Sequence, residues 1–274
     1  MLVTERAHAK INLALHVIGR RLDGYHELDS IVAFADICDV LTLEPASSLA
    51  LTFSGPFAGA VHDGSDNTVL AAWHLLAKSA ELTPVKFHLE KNLPIAAGIG
   101  GGSADAAACL RGLLRLFSLK ISTRELSAIA LKLGADVPVC LASQTSRMQG
   151  IGEILTPLVL QLPKAAVLVN PLVPSPTAKV FGMLGLQRGQ QFGTAIENFT
   201  SWRNDLKSPA IECVPEIATV IAAIKSQPDI LNAGMSGSGA TCFGVCESVR
   251  DAEVAADSIK NQYPHWWVAA ATLG

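Results

Sequence analysis

A chain of 274 residues, half of them hydrophobic, carries enough apolar material for one large or two medium folded domains. Only 16% of its residues are charged and the net charge is −3, which excludes a disordered coat and any global attraction to nucleic acid or an acidic membrane. An anionic ligand must therefore be held by local groups.

Glu5, Arg6 and Lys10 stand where a secretory signal needs an apolar stretch, and later apolar runs are broken by Pro, Gly or charge before they span a bilayer. A soluble, cytoplasmic protein is expected. Residues 11–18 and 31–43 are rich in β-branched and apolar side chains, bounded by Gly19, Asp23-Gly24 and Pro45, and are predicted strands. A helix over 67–78 and a strand over 85–90 follow. From Ser103 onward, Ala107, Leu110, Leu114 and Phe117 recur at helical spacing, so Ser103 is expected to open a helix; Ala104, Ala106, Ala107 and Ala108 let it press close to its neighbours. Ser122-Thr123-Arg124-Glu125 has the form of a capping box, opening a helix that Gly134 closes. The pattern starts afresh around 150–157, which places a first domain at 1–153 and a second at 154–274. The second reads as a strand at 165–170, an irregular Pro-rich segment at 171–176 and a helix over 211–225. A strand over 240–246, a helix over 249–262 and a last strand at 266–271 complete an α+β order.

The run Leu93-Pro94-Ile95-Ala96-Ala97-Gly98-Ile99-Gly100-Gly101-Gly102-Ser103 carries the most chemistry. A backbone free of Cβ atoms can turn its N–H groups around an anion, and the start of a following helix adds unpaired N–H groups and a favourable dipole. The run is not a P-loop, since no Lys-Ser/Thr follows the glycines. It fits a dinucleotide fingerprint poorly, with Ser103 at the third glycine position and only Glu125 at the acidic one. A plain strand-to-helix turn fits the glycines alone equally well.

Other residues admit two readings each. Lys10, on the polar side of an alternating strand, is either a solvated edge lysine or a site cation. Asp136, in Gly134-Ala135-Asp136-Val137-Pro138, is a turn carboxylate or a base aimed by the extended backbone that Pro138 imposes on Val137. Tyr25 and His26, after the Asp23-Gly24 turn, are ordinary strand residues or a flat ring with a hydrogen-bonding edge, suited to an aromatic base. Met235-Ser236-Gly237-Ser238-Gly239-Ala240-Thr241 is a hairpin turn or a second close approach to a phosphate. The six cysteines form no CxxC pair and are expected to be buried, reduced thiols.

Together, Ala9-Lys10-Ile11-Asn12-Leu13, the loop from Pro94 to Ala104 and Ser236-Gly237-Ser238-Gly239-Ala240 resemble the three motifs of the GHMP small-molecule kinases. The segment Arg20-Arg21-Leu22-Asp23-Gly24-Tyr25-His26-Glu27-Leu28, with Gly134-Ala135-Asp136-Val137-Pro138, Gly150-Ile151-Gly152-Glu153 and Asn204-Asp205-Leu206, extends the resemblance over nearly the whole chain. It narrows to members that phosphorylate a cytidine diphosphate-linked polyol in the non-mevalonate isoprenoid route. Ala104 departs from the pattern, standing where the family often has a second serine, as do Met148-Gln149 before the Gly-Ile-Gly-Glu segment.

The resemblance implies a two-domain α+β GHMP kinase fold, with an N-terminal half like ribosomal protein S5 domain 2, a C-terminal ferredoxin-like α/β sandwich and a ligand cleft between them. It implies transfer of the ATP γ-phosphate to the 2-hydroxyl of the polyol, with Mg²⁺ or another divalent cation offsetting the phosphate charge. Carried over residue by residue, it makes Asp136 the acceptor of the hydroxyl proton and Lys10 the cation that polarises the nucleophile. Pro94, Gly98, Gly100, Gly101, Gly102, Ser103 and Ala104, with Asn67 and Lys91, are implied at ATP, and Ser103 at the metal. Asn12, Tyr25, His26, Thr177, Phe181, Ser238 and Gly239 are implied at the acceptor, with Tyr25 and Phe181 sandwiching the cytosine and His26 reading its edge. Both ligands are small molecules, with no nucleic acid and no membrane, and a monomer or weak homodimer is expected. The competing readings are a GHMP kinase for homoserine or mevalonate, a nicotinamide-dependent oxidoreductase, and a nucleotide sensor without chemistry. The Asp-Gly-Tyr-His segment, the poor third-glycine match and the presence of both Lys10 and Asp136 speak against them in turn.

Overall fold

In the computed structural model, residues 1–61, 67–159, 165–197 and 202–274 are described. Their elements run β1 (Val3–Arg20), β2 (His26–Pro45), β3 (Ala50–Ser54), α1 (Thr68–Leu76), β4 (Val85–Glu90), α2 (Gly101–Leu116), α3 (Thr123–Leu133), α4 (Val137–Ala142), β5 (Ser146–Gly150), β6 (Ile154–Pro157), β7 (Ala165–Asn170), α5 (Thr177–Gly182), α6 (Lys207–Cys213), α7 (Glu216–Lys225), β8 (Asn232–Met235), β9 (Cys242–Cys246), α8 (Val249–Gln262) and β10 (Trp267–Thr272). Two compact units result: residues 1–9, 37–95 and 100–143, and residues 10–36, 96–99 and 144–274. The sequence suggested one cut at 153/154, but the units are discontinuous. β1 and β2, at 18 and 20 residues, are long enough to serve both, and residues 150–157 lie in the β5–β6 hairpin of the second unit.

In the first unit, β4 pairs antiparallel with residues 40–45 of β2, and β3 runs parallel to β4. Leu41, Leu43, Phe87 and Leu89 of these strands are buried, as are Leu76, Leu110 and Leu113 of the helices. Every residue of α2 from Ala104 to Leu110 is buried, which its run of alanines permits by allowing α1 and α4 to approach closely. The helix opens at Gly101, earlier than the expected Ser103. Gly100 takes a left-handed conformation (φ 66°) at the cap, so Ser103 is the third helical residue. α3 opens as its sequence indicates, with the Ser122 side chain accepting the Glu125 N–H.

In the second unit, β5 pairs antiparallel with residues 28–32 of β2, and β6 with β5. A separate antiparallel sheet has the order β10-β7-β9-β8, with α7 and α8 packed on it and on each other. That chain order and sheet order are those of the ferredoxin-like split βαβ arrangement. Val167, Val169, Val220, Ile224, Ile259 and Val268 form part of its core. The helix predicted over 211–225 is two helices, α6 and α7, parted at Val214 and Pro215, because proline offers no N–H to continue the first. β9 begins at Cys242, later than the expected 240. All six cysteines are free thiols, but Cys38 and Cys213 are only half-buried, against the expectation that all are buried.

Candidate active site

Lys10 is not on a polar strand face. In β1 the alternation of buried and exposed residues ends at His8, and residues 9–17 are buried throughout, Lys10 included. The reason lies along the strand edge, which loops cover. Lys10 N–H donates to Ile99 O (2.9 Å), Leu15 N–H to Arg203 O (2.8 Å), and Arg20 N–H to Gln190 O (2.8 Å). Asp205 takes the Val17 N–H at 2.9 Å. A solvated edge lysine is thereby excluded.

Ser236 joins this strand to the glycine run within the second unit. Its fully buried hydroxyl accepts the Asn12 N–H (3.0 Å) and donates to Gly98 O (2.9 Å). Thr241 N–H donates to Ala97 O at 3.0 Å. The 236–241 segment is thus the β8–β9 hairpin loop and at the same time the seat of the glycine run. Gly98 (φ 74°) is glycine for that reason: a methyl group there would lie 2.6 Å from the carbonyl oxygens of both Ser236 and Gly239. Asn204, in a segment that sequence reasoning left without a role, donates to Met235 O and Gly237 O, each at 2.8 Å, and so shapes the same loop. Ser238 is buried. Its hydroxyl bonds Thr177 Oγ1 (2.8 Å) and its carbonyl accepts from Ser175 (2.6 Å). Gly239 (φ 84°) is crowded by Ile217 and Met235. Asn12 is fully buried, its amide donates to Ser30 Oγ (2.8 Å), and its Oδ1 has no partner among the described residues.

In the run itself Ala96 (φ 52°), Gly98 (φ 74°) and Gly100 (φ 66°) are left-handed at alternate positions, the kind of backbone that gathers N–H groups on one side. Pro94 is buried at its entry and Ala104 at its exit. In the first unit Gly101 and Gly102 differ from Gly98. Methyl groups there would lie no nearer than 3.8 Å and 3.7 Å to any neighbour, an ordinary contact. Nothing in the unit requires glycine at the first turn of α2, where the N–H groups lack helical partners. The geometry leaves room for an anion to approach the backbone there. Ser103 is half-buried, and a methyl group at Gly134 would lie 3.9 Å from its Oγ.

Asp136 holds the N-cap position of α4 with right-handed backbone, but its side chain does not cap that helix. Val137, expected to be extended ahead of proline, is helical, because Pro138 falls in the first turn where no N–H is needed. Arg111 ties α4 in place, donating to Cys140 O (2.9 Å) while paired with Glu5 (3.0 Å). Asp136 belongs to the first unit and Lys10 to the second.

Asn67 and Lys91 are engaged within the first unit. Asn67 caps α1, its Oδ1 accepting the Val69 N–H at 2.9 Å. Lys91 is buried between Asp39 and Asp105, with Nζ 2.7 Å from Asp105 Oδ2 and also bonded to Asp39 Oδ2. Burial alone lowers a lysine's pKa, but the two carboxylates outweigh it and hold the ammonium above its ordinary value. Burial lifts the Asp105 carboxyl to about 7, opposed by Lys91 and aided by Asp39. Sequence reasoning missed Asp39 and Asp105. For Asp105 the available signal was an aspartate set among alanines, in the wholly buried stretch of α2 from Ala104 to Leu110.

His26, not Tyr25, faces Phe181, with ring centroids 4.9 Å apart and planes tilted by 35°. Tyr25 is exposed in the turn ahead of β2, its N–H donating to Asp23 Oδ1 (3.1 Å). His26 Nε2 is withdrawn from water and has no partner among the described residues. Burial, then the Arg20 charge, lowers the imidazole pKa from its ordinary 6.5.

The profile of the GHMP kinases N terminal domain matches residues 67–144, and that of the GHMP kinases C terminal matches residues 185–265. A 4-diphosphocytidyl-2-C-methyl-D-erythritol kinase of Bradyrhizobium sp. is 48% identical, over 98% of this chain and 96% of that protein. One of the same description from Cereibacter sphaeroides is 48% identical over 97% and 98%. A solved 4-(cytidine 5'-diphospho)-2C-methyl-D-erythritol kinase superposes with a TM-score of 0.81 at 35% identity, covering 99% of both chains. Homoserine kinase from Cytophaga hutchinsonii shares the fold alone, with a TM-score of 0.74 at 16% identity over 99% of this chain and 95% of that one. With both family domains matched, and about half its residues identical to relatives along almost its whole length, the chain belongs to the GHMP kinase family.

Proposed function

We propose that this protein is a 4-diphosphocytidyl-2-C-methyl-D-erythritol kinase, transferring the γ-phosphate of ATP to the 2-hydroxyl of the cytidylyl polyol. The observation that carries the reading is the near full-length likeness to kinases of that description. The geometry supports it at both ligands. For ATP there is a helix start with two glycines that the fold leaves uncrowded. For cytosine there is an imidazole with an unpartnered nitrogen against a phenylalanine ring.

In this reading the 100–104 backbone and the opening of α2 hold the triphosphate, and the left-handed 96–100 turn sets its direction. Lys10, buried on a strand whose edge carries loop hydrogen bonds at residues 10, 12, 15, 17 and 20, keeps a fixed position and polarises the acceptor oxygen. Asp136, at the N-cap position of α4, takes the hydroxyl proton. His26 and Phe181 define one wall for the base, Tyr25 supplies the opposite ring, and Thr177, held by Ser238, lies on the acceptor side. Among the described residues no group of three or more His, Cys, Asp and Glu is placed to hold a metal. The half-buried Ser103 hydroxyl, in the first turn of α2, would be the protein ligand of a Mg²⁺ ion that arrives on the phosphates and keeps its waters. When bound, the ion offsets charge between the β- and γ-phosphates.

The test is turnover with the cytidylyl polyol beside homoserine and mevalonate; turnover on a simple alcohol only would sink the reading. Asp136→Asn is expected to keep ATP binding while kcat falls by about 10² or more. Tyr25→Ala is expected to raise the acceptor KM by about tenfold, from the loss of one stacking ring, and to leave the ATP KM unchanged.

A further inference from the structure

Asp39 and Asp105 belong to no motif, yet both are buried at one ammonium group. The side chains of Lys91, Asp39 and Asp105 are at most 5% exposed, with Nζ bonded to an oxygen of each carboxylate. Asp39 Oδ1 also accepts the N–H groups of Asn92 (2.6 Å) and Leu93 (2.9 Å), which fixes the chain where it enters the glycine run. Asp105 is the fifth residue of α2, and its Oδ1 has no partner among the described residues. The cluster lies against the opening of the helix: a methyl group at Gly101 would be 3.8 Å from Lys91 Nζ and 3.9 Å from Asp39 Oδ2. Two carboxylates in a dry setting at that distance would oppose any anion drawn to the helix start, since Coulomb forces there are poorly screened.

We propose that Lys91 is a positioning residue, which offsets the charge of Asp39 and Asp105 beneath Gly101 so that the start of α2 remains an anion site, and that it does not itself ligate the nucleotide. This rests on the reading of residues 100–104 as the triphosphate site. It revises the role that the family resemblance gives Lys91. The side chain is buried, and two of its three N–H groups are taken by the carboxylates.

The test is Mg-ATP binding by calorimetry on the whole chain at mildly alkaline pH, with thermal unfolding and both KM values recorded alongside. Lys91→Met removes the cation that opposes the rise of the Asp105 carboxyl, so ATP binding is expected to weaken about tenfold once the pH is high enough to ionise both carboxylates, with the acceptor KM unchanged. Lys91→Met/Asp105→Asn removes one charge of each sign, and the new amide can donate to Asp39. ATP affinity is expected to return to within about threefold of the unchanged chain. A double variant that folds but binds ATP as weakly as Lys91→Met overturns the proposal and makes Lys91 a direct ligand. Should Lys91→Met fail to fold, the double variant decides alone: near-normal affinity supports the proposal, and a tenfold loss overturns it. A double variant that cannot fold also overturns it, since the cluster then serves folding only. Absence of ATP binding by the unchanged chain is a separate result, which removes the triphosphate reading itself.

Discussion

Gly98 and Gly102 stand in one glycine run for opposite reasons. At Gly98 the reason is internal, because the left-handed backbone packs directly on the carbonyls of Ser236 and Gly239. At Gly102 no such reason exists. The residue is exposed in a helical first turn, and a methyl group there would meet only the Thr68 side chain at 3.7 Å. A helical glycine costs about 0.5–1 kcal/mol relative to alanine, so one that the fold does not require indicates something outside the chain. A glycine run is therefore not one signal. Part of it holds two loops together, and part leaves room for a ligand.

Gly98→Ala should have the largest effect on the fold. Both the overlap with two carbonyls and the left-handed backbone oppose the added methyl, and a loss of about 3 kcal/mol is expected in urea unfolding. An unchanged midpoint would show that the 236–239 loop does not hold the run. Gly102→Ala should do the reverse, leaving stability unchanged or raised by up to about 1 kcal/mol. Its ATP KM should rise about tenfold, equivalent to about 1.4 kcal/mol, with the acceptor KM constant. An ATP KM that stays put would separate the start of α2 from the phosphates.

The same contrast governs what could be read from sequence. The Val85–Glu90 strand and the Val249–Gln262 helix match their expected bounds, because alternation defines one and the Ser248–Asp251 capping box opens the other. Alternation places Lys10 on a polar strand face, whereas residues 9–17 are buried throughout, since alternation reports burial only where one strand face meets water. The segments that bond the β1 edge come from far along the chain: Ile99 at Lys10, and the loops at 189–193 and 203–205 at residues 15–20. At Val137 two local rules compete, extension before proline and proline in a first helical turn, and only the surrounding packing decides between them. Ser236 could be placed in a motif but not in its bonds, which reach Asn12 and Gly98 across long separations. Of the site, the residue types were legible, while the Lys91 cluster and the His26–Phe181 pair needed the fold.

The smallest predicted effect extends the comparison to the acceptor side. The phosphate cradle is made of backbone, with the Lys91 cluster beneath it, whereas the base wall is itself formed by a titrating side chain, His26. Burial and then Arg20 hold its imidazole below 6.5, so the ring is neutral at pH 7 and protonates only lower. A folded pKa below the unfolded one means that the native state binds fewer protons in the window between them. The stability contributed by His26 is thus present above pH 6.5 and is lost as pH falls through the folded value. Acceptor affinity should follow the same course if the neutral ring reads the cytosine edge. The acceptor KM should then be flat above pH 6.5 and rise a few-fold below it, measured from initial rates across the range. His26→Gln should raise the acceptor KM at neutral pH and flatten the step. Because ATP itself takes up protons in this range, the informative quantity is the part of the rise that His26→Gln removes. A step that persists unchanged in that variant assigns the titration to another group and leaves His26 as packing for Phe181.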